Sequence, residues 1–259
     1  MTNTPAEPRI AFLIGGVQKA GTSALAQYLS AHPQLRLPYN KEAHVFDAED
    51  FADGADTAAI DARFANLFTA DSGTADTLHG DATPISLFLP QCLPRITRYN
   101  PALRWIVLLR EPAERALSHY RMERARGWER WPLWPAMLLE RWRLRLDRDP
   151  LAADSHHRRH SYRARGDYAQ QLDRLYAQFP SQHVLLLRSE QLRTQPATCV
   201  AQVCAFLGVA APPANIDYAP VFVSNTPPPA RNSLTMRLLR WLLRRERRAL
   251  GERYGITFD

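Results

Sequence analysis

One stretch near the N-terminus restricts the fold more than any other. Residues 10–16, IAFLIGG, are a short apolar run closed by two glycines. Residues 22–31, TSALAQYLSA, then place Leu25, Tyr28 and Leu29 on one helical face, and His32-Pro33 stops the helix. A continuous apolar run of this length reads as a strand buried on both faces, as in parallel sheets. Strand, glycine turn and helix in that order are the opening of a βαβ unit, which commits the chain to an α/β architecture.

The rest of the chain repeats the alternation. Residues 103–109, LRWIVLL, make the clearest central strand, run into Arg110-Glu111-Pro112, and are followed by a helix from about Ala113 to Arg126. VLLL at 184–187 is another buried strand, residues 35–37 a short one, and HGDATP at 79–84 a strand end with a turn. Helical spacing marks 57–68, 167–179 and 196–207. The pattern predicts a P-loop-like three-layer α/β/α sandwich around a central parallel sheet, one domain over residues 1–259. A Trp-, Arg- and Pro-rich stretch at about 121–160 reads as a helical insertion. Residues 211–231 are Pro-rich and read as irregular, and 233–250 reads as one strongly basic helix carrying Leu234, Leu238, Leu239, Trp241, Leu242 and Leu243.

Charge narrows the partners. The formal net charge is +7, which favours an anionic partner: a nucleotide, a nucleic acid or an acidic membrane face. Of the 33 basic residues only Lys19 and Lys41 are lysine. In so arginine-rich a chain, a lysine points to a place that needs a compact ammonium on a flexible stem. Cys92, Cys199 and Cys204 form no metal-ligand spacing and read as reduced core residues. No signal peptide and no apolar run of transmembrane length is visible, so a cytoplasmic location is expected. The basic C-terminal helix adds a candidate peripheral contact with the inner membrane surface.

Both lysines fall in motifs. Gly15-Gly16-Val17-Gln18-Lys19-Ala20-Gly21-Thr22-Ser23 joins the first strand to the first helix. Successive N–H groups in such a turn, with the partial positive charge of the helix N-terminus, bind phosphate oxygens. Thr22 and Ser23 add hydroxyls and Lys19 a full charge. The nucleotide-kinase pattern GxxxxGK[ST] does not fit, because Lys19 stands two residues before Gly21 and no lysine follows that glycine. Arg110 ends the central strand, at the edge where open α/β sheets bind ligands, and Ser118 follows eight residues later. Together they suit a second phosphate. In KEAHVFD (41–47), Glu42 is a candidate general base, His44 a competing one, and Lys41 a stabiliser of developing charge.

These segments resemble the sulfotransferases that use 3′-phosphoadenosine 5′-phosphosulfate (PAPS), above all the heparan-type glycan sulfotransferase domain and its bacterial relatives. GGVQKAGTSAL is similar to that family's 5′-phosphosulfate loop, REPAERALSHY to its 3′-phosphate motif, and KEAHVFD to the segment carrying its base. RGDYAQQLDRLYAQFP, VLLLRSEQL and AFLGV extend the likeness, which spans roughly residues 10–210. The resemblance implies that Lys19, Gly21, Thr22 and Ser23 hold the 5′-phosphosulfate and Arg110 and Ser118 the 3′-phosphate; Gln18, Ala20, Tyr168 and Arg231 are further candidates for the nucleotide site. The resemblance also implies Glu42 as the base, with Lys19, Lys41 and His44 beside it, PAPS as donor and no metal. The chain departs from the animal heparan enzymes in having no lysine in Gly80–Pro84 and no cysteine-closed C-terminal loop. Asp81 and Thr83 are then candidates to line the acceptor side, and Asn225 with Arg231 to close over the nucleotide.

The acceptor expected is a glycan hydroxyl or amine, with lipid, peptide tyrosine and secondary metabolite open, and no nucleic acid. Trp128, Trp131, Trp134 and Trp142 read either as an acceptor-stacking surface or as the core of a helical cap. Two other classes compete: a small-molecule kinase using ATP and magnesium, and a non-enzymatic arginine-rich module for nucleic acid or membrane.

Overall fold

The structure is a computed structural model and describes residues 9–69, 76–219, 230 and 232–258. Five strands form one sheet: β1 (Ile10–Gly16), β2 (Leu35–Arg36), β3 (Leu78–Asp81), β4 (Arg104–Leu109) and β5 (Val184–Arg188). Their order is β2-β3-β1-β4-β5, and every pairing is parallel. The helices along the chain are α1 (Thr22–Ser30), α2 (Thr57–Ala65), α3 (Cys92–Tyr99), α4 (Pro112–Ala125), α5 (Leu133–Leu138), α6 (Glu140–Leu144), α7 (His156–Arg159), α8 (Tyr168–Tyr176), α9 (Ser189–Thr194), α10 (Pro196–Leu207), α11 (Leu234–Leu242) and α12 (Arg244–Tyr254).

This is the expected sandwich, and the order of its strands positions the site. From β1 the chain moves outward to β2, whereas from β4 it moves the other way to β5. Right-handed crossovers then send the two connections to opposite faces of the sheet. The loops leaving β1 and β4 therefore part company beside each other, and a crevice opens at the carboxyl ends of these two strands. Val17 N–H donates to Leu108 O at 2.9 Å, carrying the β1–β4 pairing into the loop itself.

Two glycines of the turn serve packing. A Cβ on Gly15 would lie 2.2 Å from the Trp105 ring, and one on Gly16 would lie 2.7 Å from Leu87. Gly21 is the one with a conformational reason, at φ 100°, where it caps α1 without a side-chain hydrogen bond.

The core lies against the sheet, with Trp105 to Leu109 all buried. A second, smaller core holds Ala113, Ala116 and Leu117 of α4, Met137, Tyr162, and Met236, Leu239 and Leu243 of the C-terminal region. This corrects the single C-terminal helix expected at 233–250. Leu239 and Leu243 belong to the second core and Leu250 to the main one. A straight helix does not serve both, so the chain breaks at Leu243 (φ −99°, ψ 15°) into α11 and α12. The tryptophans of the insertion divide: Trp131 and Trp134 are partly buried against the second core, whereas Trp128 and Trp142 are about half exposed. Helices α3 and α9 were not anticipated, and all three cysteines are free and buried. Asn225 and Arg231 lie outside the described residues.

Candidate active site

The β1–α1 loop and the end of β4 meet in the crevice. Arg110 Nη1 donates to Lys19 O at 3.0 Å, and its Nη2 lies 3.5 Å from Glu114 Oε2 one turn into α4. Glu111 caps α4, accepting from Glu114 N at 2.8 Å with Pro112 in the first turn. The buried Glu111 carboxylate also faces Arg247 at 3.5 Å and Arg240 at 3.9 Å, which ties both C-terminal helices to the strand end. Ser118 sits half-buried on the same helix. Tyr168 is buried and its hydroxyl donates to Arg110 O at 2.8 Å, so it fixes the strand end that carries Arg110.

Lys19 lies at the centre of the positive charge. Burial lowers its pKa first, then the charges of Arg126 and Arg110 and, more weakly, Lys41 lower it further, while Glu123 opposes them. Its Nζ rests 3.6 Å from Met122 Sδ, a weak acceptor. Three neighbouring cations against one carboxylate leave an excess that an anion with several charges would relieve. The uncapped first turn of α1, with Thr22 and Ser23, adds N–H groups at the same edge. Gln18 is held from its side-chain oxygen: Oε1 accepts from Arg165 Nη1 at 2.6 Å. Arg165 is buried, burial pulls its pKa down to about 9, and Ser161 Oγ and the carbonyls of His157 and Arg158 take its other donors. Ala20 is buried under the turn.

The 41–47 segment lies near enough for the Lys41 charge to act on Lys19 and that of Glu42 on Arg165. Glu42 pairs with the Lys41 ammonium through Oε1, and its Oε2 stands 3.3 Å from His44 Nε2. His44 Nδ1 contacts buried Asp47 Oδ2 at 2.9 Å, and Arg158 Nη1 holds that same oxygen at 2.6 Å. Burial alone would depress the His44 imidazole, but hydrogen bonds to Asp47 and Glu42 outweigh it and push its pKa up to about 10. Burial raises Glu42, and His44 and Lys41 more than offset it, so its carboxyl lies below the ordinary range. At neutral pH the pair is a carboxylate held between two cations.

Asp81 and Thr83, expected to line the acceptor side, are each 1% exposed and instead hold this segment from behind. Asp81 Oδ1 accepts from Ala43 N (2.9 Å), Ala82 N (2.7 Å) and Thr83 Oγ1 (3.0 Å), and Thr83 Oγ1 accepts from His44 N (3.3 Å). Among the described residues three non-glycines have positive φ: Lys19 (72°), Lys41 (69°) and His44 (52°). All three belong to the predicted catalytic set, and strained backbone of this kind gathers where a structure holds functional groups.

Four contributors escaped the sequence reading: Asp47, Arg126, Arg158 and Arg165. Asp47 lay within a motif already singled out; the arginines were hidden among many. Among the described residues no cluster of three or more His, Cys, Asp or Glu is arranged to hold a metal ion.

Comparison with known proteins agrees with this geometry. The sulfotransferase domain family model matches residues 9–218. The chain is 32% identical over 199 residues to heparan sulfate glucosamine 3-O-sulfotransferase 6 of Mus musculus, covering 76% of this chain and 52% of that protein. It is 27% identical over 204 residues to bifunctional heparan sulfate N-deacetylase/N-sulfotransferase 2 of Homo sapiens, covering 76% and 22%. It thus spans about half or less of the curated relatives it matches. A sulfotransferase from Alicyclobacillus acidocaldarius superposes with a TM-score of 0.75 at 26% identity, over 96% of this chain and 97% of that one. Because the matched region contains the lysine turn, the base segment and the Arg110 strand end in one crevice, the chain belongs to the sulfotransferase domain family.

Proposed function

We propose that this protein transfers a sulfuryl group from PAPS to a hydroxyl or amine of a saccharide acceptor, with Glu42 as general base. The observation that carries the proposal is the meeting of Lys19 and Arg110 at the switch point, joined by the 3.0 Å hydrogen bond from Arg110 to Lys19 O. One bisphosphorylated nucleotide fits such a pair: Lys19, Gly21, Thr22 and Ser23 take its 5′ end, and Arg110 with Ser118 its 3′-phosphate. The unbalanced positive charge around Lys19 supports this fit.

Glu42 accepts the proton as the acceptor oxygen or nitrogen forms its bond to sulfur. The bond from sulfur to the bridging oxygen breaks, and Lys19 stabilises the electron pair left on the 5′-phosphate. Positioning and fixed charge supply most of the rate in such an in-line transfer. His44 does not compete as the base: with its pKa at about 10 it is already protonated at neutral pH. It holds Glu42 ionised and oriented, backed by Asp47 and Arg158.

A saccharide acceptor is supported by the heparan sulfate enzymes among the relatives. Near the crevice mouth, exposed Trp128 lies under Arg126 (5.2 Å) and Arg159 (4.7 Å), a surface suited to a sugar bearing acidic groups.

The test compares ligands by thermal shift. Adenosine 3′,5′-bisphosphate should raise the unfolding temperature where AMP and ATP with magnesium do not, since a ligand of the folded state stabilises by mass action. Transfer of ³⁵S from labelled PAPS to a saccharide fraction should follow. Stabilisation by ATP with magnesium and none by the bisphosphate would sink the proposal.

A further inference from the structure

Nine large hydrophobic side chains stand exposed among the described residues, and seven of them lie on two stretches, 138–146 and 234–241. Scattered exposed hydrophobics need no explanation, but a cluster does. The two stretches adjoin: α5 and α11 enclose an apolar groove of about 180 Å³ lined by Trp134, Leu138, Leu238, Trp241 and Leu242. On α11, Leu234, Leu238 and Trp241 follow helical spacing along the outer side and are 69%, 42% and 60% exposed. Met236 and Leu239 on its inner side are buried in the second core. A helix apolar on both sides needs cover on both.

The surrounding charge identifies the cover. Arg141 and Arg145 beside α6, and Arg237, Arg244 and Arg245 beside Trp241, are exposed. The one acidic residue in these stretches, Glu140, is buried and accepts from the N–H groups of Arg163 and Ala164. Within 138–146 and 234–241 the exposed charge is therefore positive, and acidic residues Asp149, exposed, and Glu246, half-buried, lie just beyond these stretches. Arg244 lies 4.3 Å over the Trp241 ring, an aromatic–cation pair suited to the headgroup level of a bilayer. A second copy docked by a twofold axis would set these arginines against one another. No helix is long and apolar enough to cross a membrane among the described residues, so the contact is interfacial.

We propose that the face formed by α5, α6 and α11 docks peripherally on an anionic lipid bilayer, with Leu138, Leu234, Leu238 and Trp241 entering the acyl boundary and the arginines meeting anionic headgroups. α11 packs on α4 through the second core, so docking fixes the transfer site relative to the surface.

The test is flotation of the full chain with vesicles of phosphatidylcholine alone or with 30% phosphatidylglycerol. The protein should float with the anionic vesicles only, and less as salt shortens the range of the charge. Each arginine near such a surface contributes on the order of fivefold in partitioning. The variant R237Q/R244Q/R245Q should thus bind about 100-fold more weakly. L238S/W241S should abolish binding while circular dichroism and unfolding temperature stay those of the parent. Failure to float with anionic vesicles, or undiminished binding by both variants, overturns the proposal. So does a dimer in light scattering that L238S/W241S dissociates, because a second copy would then cover the face.

Discussion

Asp81 offers the sharpest test of how the base segment is held. Its carboxylate is buried with three donors on Oδ1, the N–H groups of Ala43 and Ala82 and the Thr83 hydroxyl. Burial nevertheless dominates those hydrogen bonds and raises its pKa from 3.8 to about 6. A tenfold change in proton affinity is worth about 1.4 kcal/mol, so ionising Asp81 within the fold costs on the order of 3 kcal/mol more than in the unfolded chain. Because the folded value is raised, the stabilisation is complete below pH ~4 and is lost as pH rises through about 6. Asp81→Asn keeps an oxygen acceptor and removes the titration. Measured by denaturant unfolding at pH 4.5 and 7.5, the stability of the Asn variant relative to the parent should improve by roughly 2 kcal/mol between the two. Its turnover should stay within a few fold. Asp81→Ala leaves two buried N–H groups without an acceptor, at about 1–3 kcal/mol each, and frees the segment carrying Glu42. Its kcat should fall about 100-fold while affinity for the bisphosphate changes little. An Asn-minus-parent difference that is flat with pH, or that moves toward the parent at pH 7.5, would refute the reasoning.

Glu42→Gln should lower kcat by roughly 100-fold or more, measured in single turnover, with donor affinity kept. On the alkaline side the pH–rate profile should fall as Lys19, whose pKa burial and the neighbouring cations lower, and His44, with its pKa at about 10, lose their protons, so His44→Gln should change the shape of that limb without abolishing it. Arg110→Ala removes a charged hydrogen-bond donor and should weaken binding of the bisphosphate about 10–100-fold by calorimetry, with a smaller effect on kcat at saturation.

What was legible in the sequence was local. The turn through Lys19, the strand end at Arg110 and the 41–47 segment each show their chemistry within about ten residues; strand periodicity placed the first two at the edge of one sheet, and the third was tied to them by resemblance alone. What was not legible depends on pairs far apart in the chain. Arg158 reaches Asp47 across 111 positions, and Arg165 reaches Gln18 across 147. In an arginine-rich chain no spacing distinguishes these two from their neighbours. The tryptophans show the same limit from the other side: partly buried Trp131 stacks on exposed Trp142 at 6.4 Å, a result of the fold of the insertion that composition does not foretell. The break at Leu243 was equally hidden, since it answers to two separate cores.

The choice of residue at position 19 joins stability to chemistry. A left-handed backbone at φ 72° suits glycine, and a side chain there costs roughly 1–2 kcal/mol. Lys19 adds burial and repulsion from Arg126, Arg110 and Lys41 to that strain. For folding alone, lysine is a poor occupant of this position. Lys19→Gly relieves both the backbone strain and the repulsion, and loses roughly 0.5–1 kcal/mol through the freer unfolded chain. The variant should therefore be at least as stable as the parent, by up to about 1 kcal/mol in denaturant unfolding. Its turnover should fall on the order of 100-fold or more, because no ammonium meets the charge on the leaving phosphate. Lower stability together with lost activity would show that Lys19 holds the loop together rather than acting on the transferred group.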